Sequence, residues 1–267
     1  MNYTVVTTFN QEGYEKYGQR MIQTFLKNWP QEVQLVVYAE GVNVHQSAPN
    51  LTVYDLESVS SELKKFKTQW HGVPKANGDV SADPVRSRRK DAGKGFKWDA
   101  VRFAHKVYSI FHCAKHTQTD WLIWMDADTV CHSPISVSHI SQLCPNDREL
   151  CFLGRRGKFS ECGLYAMNLQ SSGVQRFLAD FQRYYDDAEQ GIFLLDEWHD
   201  SFVFDVVRQN HGLRELDWSG HLIKGEGHPL INSEWGAYLD HLKGDRKSLG
   251  RSKDKDLLVK RTEEYWN

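Results

Sequence analysis

The sequence has none of the long apolar runs that mark membrane proteins. No stretch of its 267 residues reaches the roughly 18 uninterrupted apolar positions that a membrane-spanning helix needs. An excess of one charge is also missing, because 33 basic and 35 acidic side chains give a net charge of -2. Bulk charge therefore does not point to a nucleic-acid partner. The first residues, Met1–Val6, lack the charged and apolar regions of a signal peptide.

Cysteine is scarce and lacks the spacing of a metal or disulfide framework. The five cysteines are odd in number and form no closely spaced pairs; they are Cys113, Cys131, Cys144, Cys151 and Cys162. We expect them to be reduced thiols of a cytoplasmic protein. A chain of this length can bury a core that needs no disulfides.

The most informative stretch joins a buried strand to two acidic residues. Five apolar residues, Trp121–Met125, lead directly into Asp126, Ala127 and Asp128. Such a run predicts a strand buried on both faces, and in open α/β sheets ligands bind at the carboxyl ends of the strands. Two carboxylates one residue apart suit a hard cation such as Mn²⁺ or Mg²⁺ that also holds phosphates. A plain turn with two solvated aspartates is the structural alternative.

The apolar patterns alternate between strand and helix spacing. Strands are predicted over Tyr3–Thr8, Val33–Ala39, Leu51–Leu56, 150–154 and 163–168. Helices are predicted over 11–28, 96–113 and 171–187. Strand, helix and strand in this order favour a parallel sheet with right-handed crossovers. The predicted fold class is α/β, with a Rossmann-like first half.

Residues 71–95 interrupt this pattern. They are rich in glycine and proline, and they carry a basic set, namely Arg86, Arg88, Arg89, Lys90 and Lys94. A structureless loop of this length is usually functional or disordered. It is interpreted either as a mobile surface loop or as a basic flap that folds over an anionic ligand.

The helix predicted over 96–113 carries polar residues as well as an apolar stripe. Asp99, Arg102 and Lys106 follow one another at i, i+3 and i+7, so they share a face. A solvated face is the expected interpretation. The start of this helix could instead border the cleft that the Asp126 strand reaches.

A second acidic cluster lies at Asp196, Glu197 and Asp200, with His199 among them. These residues are predicted to open a helix on which Asp196 and Asp200 share a face. Carboxylates in a first helical turn are ordinarily explained by the helix dipole. Three of them beside a histidine can also act as acid, base or acceptor-orienting groups.

A late motif places His241, Gly244 and Lys247 three residues apart. A histidine can complete a cation site begun by two aspartates. A glycine lets a backbone N–H approach a phosphate closely, and a lysine neutralises a diphosphate leaving group. The motif becomes informative in combination with the acidic pair upstream.

In this combination the chain resembles the GT-A glycosyltransferases, especially the retaining, glycogenin-like members of family 8. The resemblance rests on Asp126, Asp128, His241, Gly244 and Lys247, and it runs in order from the first strand to about residue 247. It implies a GT-A fold, that is, a mixed and mainly parallel sheet flanked by helices. It also implies a UDP-sugar donor, a Mn²⁺ or Mg²⁺ ion, and a carbohydrate or other hydroxyl acceptor.

The resemblance also implies roles for single residues. Asp126, Asp128 and His241 would hold the metal. The nucleotide-sugar would contact Thr7, Thr8, Arg102, Ala127, Gly244 and Lys247. Asp196-Glu197-Trp198-His199 is similar to a segment of the retaining blood-group-type galactosyltransferases, where the glutamate lies beneath the reactive sugar carbon. The candidate catalytic residues are accordingly Glu197, Asp200 and Asp196.

The expected organisation is a single catalytic domain over residues 1–250. Residues 1–130 would form its nucleotide-binding half and residues 131–250 its acceptor-binding half. Residues 251–267 would form a charged tail or helix. The alternatives are a haloacid-dehalogenase-like Mg²⁺-dependent phosphohydrolase, whose first motif is also Asp-x-Asp, a sugar nucleotidyltransferase, and a non-catalytic carbohydrate-binding protein.

Overall fold

The computed structural model describes residues 1–222 and 227–267. Its strands, in chain order, are β1 (Tyr3–Asn10), β2 (Gln34–Glu40), β3 (Leu51–Asp55), β4 (Trp121–Met125), β5 (Thr129–Cys131), β6 (Leu150–Phe152), β7 (Leu164–Asn168), β8 (Glu215–Asp217) and β9 (Leu239–His241). Seven of them form the central sheet in the order β3-β2-β1-β4-β7-β6-β8, and β5 pairs with β9.

The central sheet is mixed and mainly parallel. β1, β2, β3 and β4 pair in parallel, and so do β6 and β8. β7 runs antiparallel to both of its neighbours, β4 and β6. The predicted α/β fold class is confirmed, and the sheet has the arrangement that the GT-A resemblance implies.

Helices flank both faces of the sheet. The α-helices are α1 (Gln11–Gly13), α2 (Gln19–Asn28), α3 (Leu56–Val59), α4 (Ser61–Trp70), α5 (Ala100–His116), α6 (Val137–Leu143), α7 (Ser172–Asp186), α8 (Asp200–Gln209), α9 (Pro229–Asn232) and α10 (Arg246–Leu249). A π-helical turn over Tyr14–Gly18 joins α1 to α2, so the predicted helix over 11–28 is continuous. No helix in the described ranges combines the length and the apolar character needed to cross a bilayer.

Alternating strand residues feed two hydrophobic cores, one on each face of the sheet. On β4, Leu122 and Trp124 pack with α4, α5, α7 and α8. Ile123 packs on the other face with α2 and α6. All five residues of β4 are buried, as the apolar run predicts for a central strand. Asp126 therefore directly follows a strand that is buried along its whole length.

Residues 71–95 form a series of short turns rather than a structureless loop, and the two interpretations, a mobile surface loop or a basic flap, stay predictions. Short 3₁₀ turns occupy Pro74–Asn77, Val80–Ala82 and Arg86–Arg88, and another follows over Gly95–Trp98. Ala76 and Trp98 are buried in the core. Arg86 pairs with Asp83 at 2.6 Å and stacks on Trp198 at 4.3 Å. Sparse apolar residues suffice here because the arginine itself packs against an aromatic ring.

Residues 251–267 pack against the rest of the fold. They form 3₁₀ turns over Asp254–Asp256 and Glu264–Trp266. The indole of Trp266 donates to the carbonyl of Gly236 at 2.9 Å, and the Tyr265 hydroxyl donates to Oδ2 of Asp240 at 2.8 Å. The aromatic end of the segment therefore belongs to the core around β9.

Candidate metal and nucleotide site

The two predicted motifs meet at one end of the sheet. Asp126 directly follows β4, and Asp128 directly precedes β5. Because β5 pairs antiparallel with β9, Thr129 lies opposite His241. The short β5–β9 ladder thus brings a late histidine against the early acidic pair. These three side chains form a group whose ligand atoms all lie within 4.8 Å of one another.

The spacing of these atoms fits a hard divalent cation. Nε2 of His241 lies 2.9 Å from Oδ1 of Asp128 and 3.5 Å from Oδ2 of Asp126. Ligand atoms on adjacent corners of an octahedral ion lie about 3 Å apart when each bond is about 2.1 Å. The two carboxylates are oxygen donors of the kind that Mg²⁺ and Mn²⁺ prefer, and Mn²⁺, as a transition metal, also accepts an imidazole nitrogen. The residues present therefore fit the implied ion.

Asp128 is held between two basic side chains. Besides His241, Nζ of Lys247 lies 2.8 Å from its Oδ2. Burial by itself would raise the pKa of Asp128, but His241 and Lys247 more than offset burial and the pKa is lowered. Burial would lower the pKa of His241, and the Asp128 carboxylate reverses this and raises it. Lys247 also lies over the ring of Tyr17.

Lys106 is a central residue of the site that the sequence interpretation placed on a solvated face. Its side chain is buried, and its ammonium contacts Oδ1 of Asp126 at 3.0 Å and Oδ2 of Asp200 at 2.6 Å. It also donates to the carbonyl of Cys162. The expectation of solvation is wrong because Lys106 points under the acidic pair, on the side of α5 that faces the sheet.

The second acidic cluster divides into three different environments. α8 begins at Asp200, with His199 as its N-cap, so the prediction that Asp196 shares a helical face with Asp200 is wrong. Asp196 precedes the helix and is exposed, and its side chain does not line the cleft described below. Glu197 is buried and is paired with Lys97 at 2.6 Å and with His199 at 2.8 Å. Asp200 is the carboxylate that reaches the metal group, through Lys106.

One large cleft of about 1600 Å³ is lined by Lys106, Asp126, Asp128, Glu197 and Asp200. Among the predicted nucleotide contacts, Thr8, Arg102, Ala127 and Lys247 line it. Thr7 is buried in β1 and does not. Gly244 has a φ of +59°, which favours glycine, and it lies between two cleft-lining residues, Lys243 and Lys247. Thr7 is separated from the cleft because neighbouring strand residues face opposite sides of the sheet.

One wall of the cleft is aromatic. Four phenylalanine rings lie within 6.3 Å of the imidazole of His199, measured between ring centroids; they are Phe96, Phe103, Phe159 and Phe202. All four line the cleft. Phe96 is half-exposed. The cleft therefore combines charged groups around Asp126 with a cluster of phenylalanine rings around His199.

A buried carboxylate behind His241 is a second feature that sequence analysis missed. Glu161 is only 3% exposed, and with His228 and His241 it forms another group of potential ligand atoms within 4.8 Å of one another. The sequence offers a weak signal, since Glu161 stands just before Gly163 at the start of a strand. Its partners come from distant parts of the chain and could not be predicted.

Comparisons with known proteins give a fold likeness only. No family model matches the chain, and no curated protein matches it. Among solved structures, the chain is similar to the apo structure of the bifunctional glycosyltransferase WbbM, with 10% identity, a TM-score of 0.48, and coverage of 82% of this chain and 39% of that one. It is also similar to the glycosyltransferase GlyE of Streptococcus pneumoniae TIGR4, with 8% identity, a TM-score of 0.47, and coverage of 81% and 45%. The chain spans less than half the length of either protein.

Proposed function

We propose that the chain is a glycosyltransferase, specifically a hexosyltransferase that moves a sugar from a UDP-sugar to a hydroxyl acceptor with the help of Mn²⁺ or Mg²⁺. One observation carries the proposal. Asp126, Asp128 and His241 converge within 4.8 Å at the end of a central strand, and the two aspartates line the same cleft as Lys247.

A cation at the metal group and the basic side chain of Lys247 would together bind the diphosphate of the sugar donor. A bound cation supplies Lewis-acid stabilisation of the charge that develops on the departing phosphates. Lys247 now pairs with Asp128, and the left-handed Gly244 begins the turn that carries it. We infer that Lys247 exchanges this carboxylate for a phosphate oxygen when the donor binds. A preorganised cation of this kind stabilises a leaving group at low reorganisation cost.

Asp200 is the carboxylate best placed to act on the sugar. It shares Lys106 with Asp126, so its carboxylate lies close to the metal group. Glu197 is engaged by Lys97 and His199 and is better placed to orient His199. Asp200 would stabilise the positive charge that develops at the reactive sugar carbon, and the resemblance to family 8 favours retention of configuration.

The acceptor would bind along the aromatic wall of the cleft. The four phenylalanines around His199 offer contact surface without hydrogen-bonding groups, which suits the apolar face of an acceptor ring. The phenylalanine rings and the two aspartates of the metal group line one cleft. Both of the proposed halves, residues 1–130 and 131–250, contribute to the aromatic wall, since Phe96 and Phe103 belong to the first half and Phe159 and Phe202 to the second. The five cysteines, all free and buried, agree with the proposed cytoplasmic location.

A thermal-shift panel of nucleotides and nucleotide sugars, with and without Mn²⁺, tests the proposal. A ligand at a hundred times its Kd stabilises the native state by about 2.7 kcal/mol. We expect UDP and UDP-sugars to raise Tm only when Mn²⁺ or Mg²⁺ is present. UDP release that depends on an acceptor would then establish transfer. A panel in which no nucleotide shifts Tm, or the trapping of a phosphoryl group on Asp126, would contradict the proposal, and the second result would indicate a phosphohydrolase.

A further inference from the structure

Glu161 lines the same cleft as Asp126 and Asp128, and it lies on the Nδ1 side of the His241 ring, whereas the two aspartates lie on the Nε2 side. It stands in the segment between β6 and β7, and its backbone N–H donates to the carbonyl of Leu153 at 2.7 Å. Its side chain is 4% exposed. A carboxylate this deeply buried needs compensating partners. The groups around the carboxylate therefore indicate what Glu161 does.

Four basic groups surround the Glu161 carboxylate. Lys243 pairs with Oε1, and the guanidinium of Arg155 lies 3.4 Å from Oε2. Nδ1 of His241 lies 3.9 Å from Oε1, and Nε2 of His228 lies 4.0 Å from Oε2. These basic groups compensate the charge of a buried carboxylate, so Glu161 is available as a hydrogen-bond acceptor.

The two histidines present opposite ring nitrogens to this acceptor. Nδ1 of His228 accepts a hydrogen bond from the backbone N–H of Leu230 at 3.2 Å. The neutral ring must then carry its proton on Nε2, which faces Glu161. Nε2 of His241 faces the carboxylates of Asp126 and Asp128, which leaves Nδ1 facing Glu161.

Among the residues that the structure describes, none forms a hydrogen bond with three buried polar atoms of this cluster: Oε2 of Glu161, Nε2 of His228 and Nδ1 of His241. Such atoms are costly when left unsatisfied. The 3.9 Å separation between Glu161 and His241 exceeds hydrogen-bond length by about 0.7 Å, which a small rotation of the flexible glutamate side chain closes. The cluster is therefore preformed for a hydrogen bond between Nδ1 of His241 and Glu161.

The backbone beneath the ring leaves His241 little freedom to turn. A Cβ atom built on Gly163 would lie 2.3 Å from Cε1 and 2.5 Å from Nδ1 of His241. The ring of His228 packs edge-on against that of His241, with centroids 5.0 Å apart. Packing against Gly163 and His228 thus fixes the orientation of the His241 ring. The group that accepts a hydrogen bond from Nδ1 decides which ring nitrogen carries the proton.

We propose that Glu161 is a positioning residue for His241: it accepts the Nδ1 proton and so presents the Nε2 lone pair to the divalent cation. His228 holds Glu161 in turn, through its Nε2–H. This inference rests on the proposed cation-dependent function. Partners of this kind behind a metal-binding histidine typically contribute 10- to 100-fold to metal affinity. A second cation between Glu161, His228 and His241 is disfavoured, because Lys243 and Arg155 already neutralise the carboxylate.

The experiment is a Mn²⁺ titration of the full chain by calorimetry, with four variants. Glu161→Leu removes the acceptor, and Glu161→Gln retains an acceptor oxygen without the charge. His228→Asn keeps an acceptor for the Leu230 N–H but cannot reach Glu161. Glu32→Gln, at an exposed position, is the matched control. We expect Kd to rise about 10- to 100-fold for Glu161→Leu, less for Glu161→Gln and His228→Asn, and not at all for Glu32→Gln.

A second readout separates positioning from general structural damage. Proton NMR of the nitrogen-15-labelled chain with saturating Mg²⁺ should show the Nδ1–H of His241 at the downfield shift of a hydrogen bond to a carboxylate in the wild type, and further upfield in Glu161→Leu. If Glu161→Leu does not fold, Glu161→Gln and His228→Asn provide the test. Unchanged affinity and an unchanged Nδ1–H shift in the folded variants would overturn the inference, as would two ions per wild-type chain with one lost on substitution. A wild-type chain that binds no Mn²⁺ would instead overturn the proposed function.

Discussion

Nζ of Lys106 lies 2.6 Å from Oδ2 of Asp200, and this contact ties α8 to the acidic pair after β4. Burial would lower the pKa of Lys106, but Asp126 and Asp200 more than offset burial, so the pKa lies well above its ordinary value. The lysine therefore stays charged in the core. Its ammonium lies 4.7 Å from the centre of the Trp124 ring, which adds a cation–π contact.

Lys106→Met should destabilise the protein. The substitution leaves two carboxylates, Asp126 and Asp200, without their shared cation, and breaking a buried pair costs roughly 3–5 kcal/mol. We expect a loss near the lower end, about 3 kcal/mol, because Asp126 is partly exposed. Chemical denaturation measures it, and adding Asp200→Asn to Lys106→Met should recover part of the loss. A change below about 1 kcal/mol would show that the contact is not important for stability.

Asp200→Asn and Asp196→Asn should have very different effects on transfer. Asp200 shares Lys106 with the metal group, whereas Asp196 is exposed outside the cleft. We expect kcat to fall by about 100-fold or more for Asp200→Asn, the size typical of losing one electrostatic contact to the transition state. Asp196→Asn should remain within about twofold of the wild type, as surface substitutions usually do. Equal losses in the two variants would contradict the assignment of Asp200.

Among the basic residues of the 71–95 segment, Lys94 should be the one that contributes to nucleotide binding. It lines the cleft, whereas Lys90 and Arg88 do not. An exposed charge near a diphosphate contributes modestly, so Lys94→Ala should weaken UDP binding about two- to fivefold. The effect should shrink as salt is raised. Lys90→Ala is the matched control, and the same loss in both variants would indicate a broad basic flap instead of a single contact at Lys94.

Burial of His132 against the C-terminal segment should make the free energy of unfolding decrease at acidic pH. His132 stacks on Tyr265 with ring centroids 4.1 Å apart, and burial lowers the pKa of His132 to about 4. The unfolded chain then takes up a proton first, so stability declines as pH falls from about 6.5 to about 4. The loss should reach about 3 kcal/mol at pH 4, because each tenfold difference in proton affinity between the two states is worth about 1.4 kcal/mol. His132→Phe, which retains the stacking, should flatten this part of the pH profile, and an unchanged profile would contradict it.

Local sequence patterns suffice to predict the main strands and helices. An unbroken apolar run predicts β4, and an apolar stripe at helical spacing predicts α7. The sequence also predicts that Asp126, Asp128, His241 and Lys247 act together, and the β5–β9 ladder brings them together. These residues can be grouped from the sequence although they are far apart in the chain, because each of the two motifs has recognisable chemistry.

The features that sequence patterns do not predict depend on long-range contacts. Lys106 is a buried lysine, and its burial follows from two carboxylates on other elements. The spacing holds a signal, since Lys106 lies three residues after Phe103 and four before Ile110 on the apolar side of the helix. The prediction for Asp196 fails because His199, not a residue before Asp196, caps the helix. α4 has no counterpart among the predicted helices, although Ser60 caps it.

Calorimetry of UDP binding, with Mn²⁺ and after its removal by a chelator, tests the central claim most directly. We expect affinity for UDP to be at least about tenfold higher with Mn²⁺, a difference of about 1.4 kcal/mol. Asp128→Asn should lose this difference, and Asp147→Asn, at a position whose side chain is 71% exposed, should keep it. Equal affinity of the wild type for UDP with and without Mn²⁺ would contradict the assignment of Asp126, Asp128 and His241 as a metal group that holds a nucleotide.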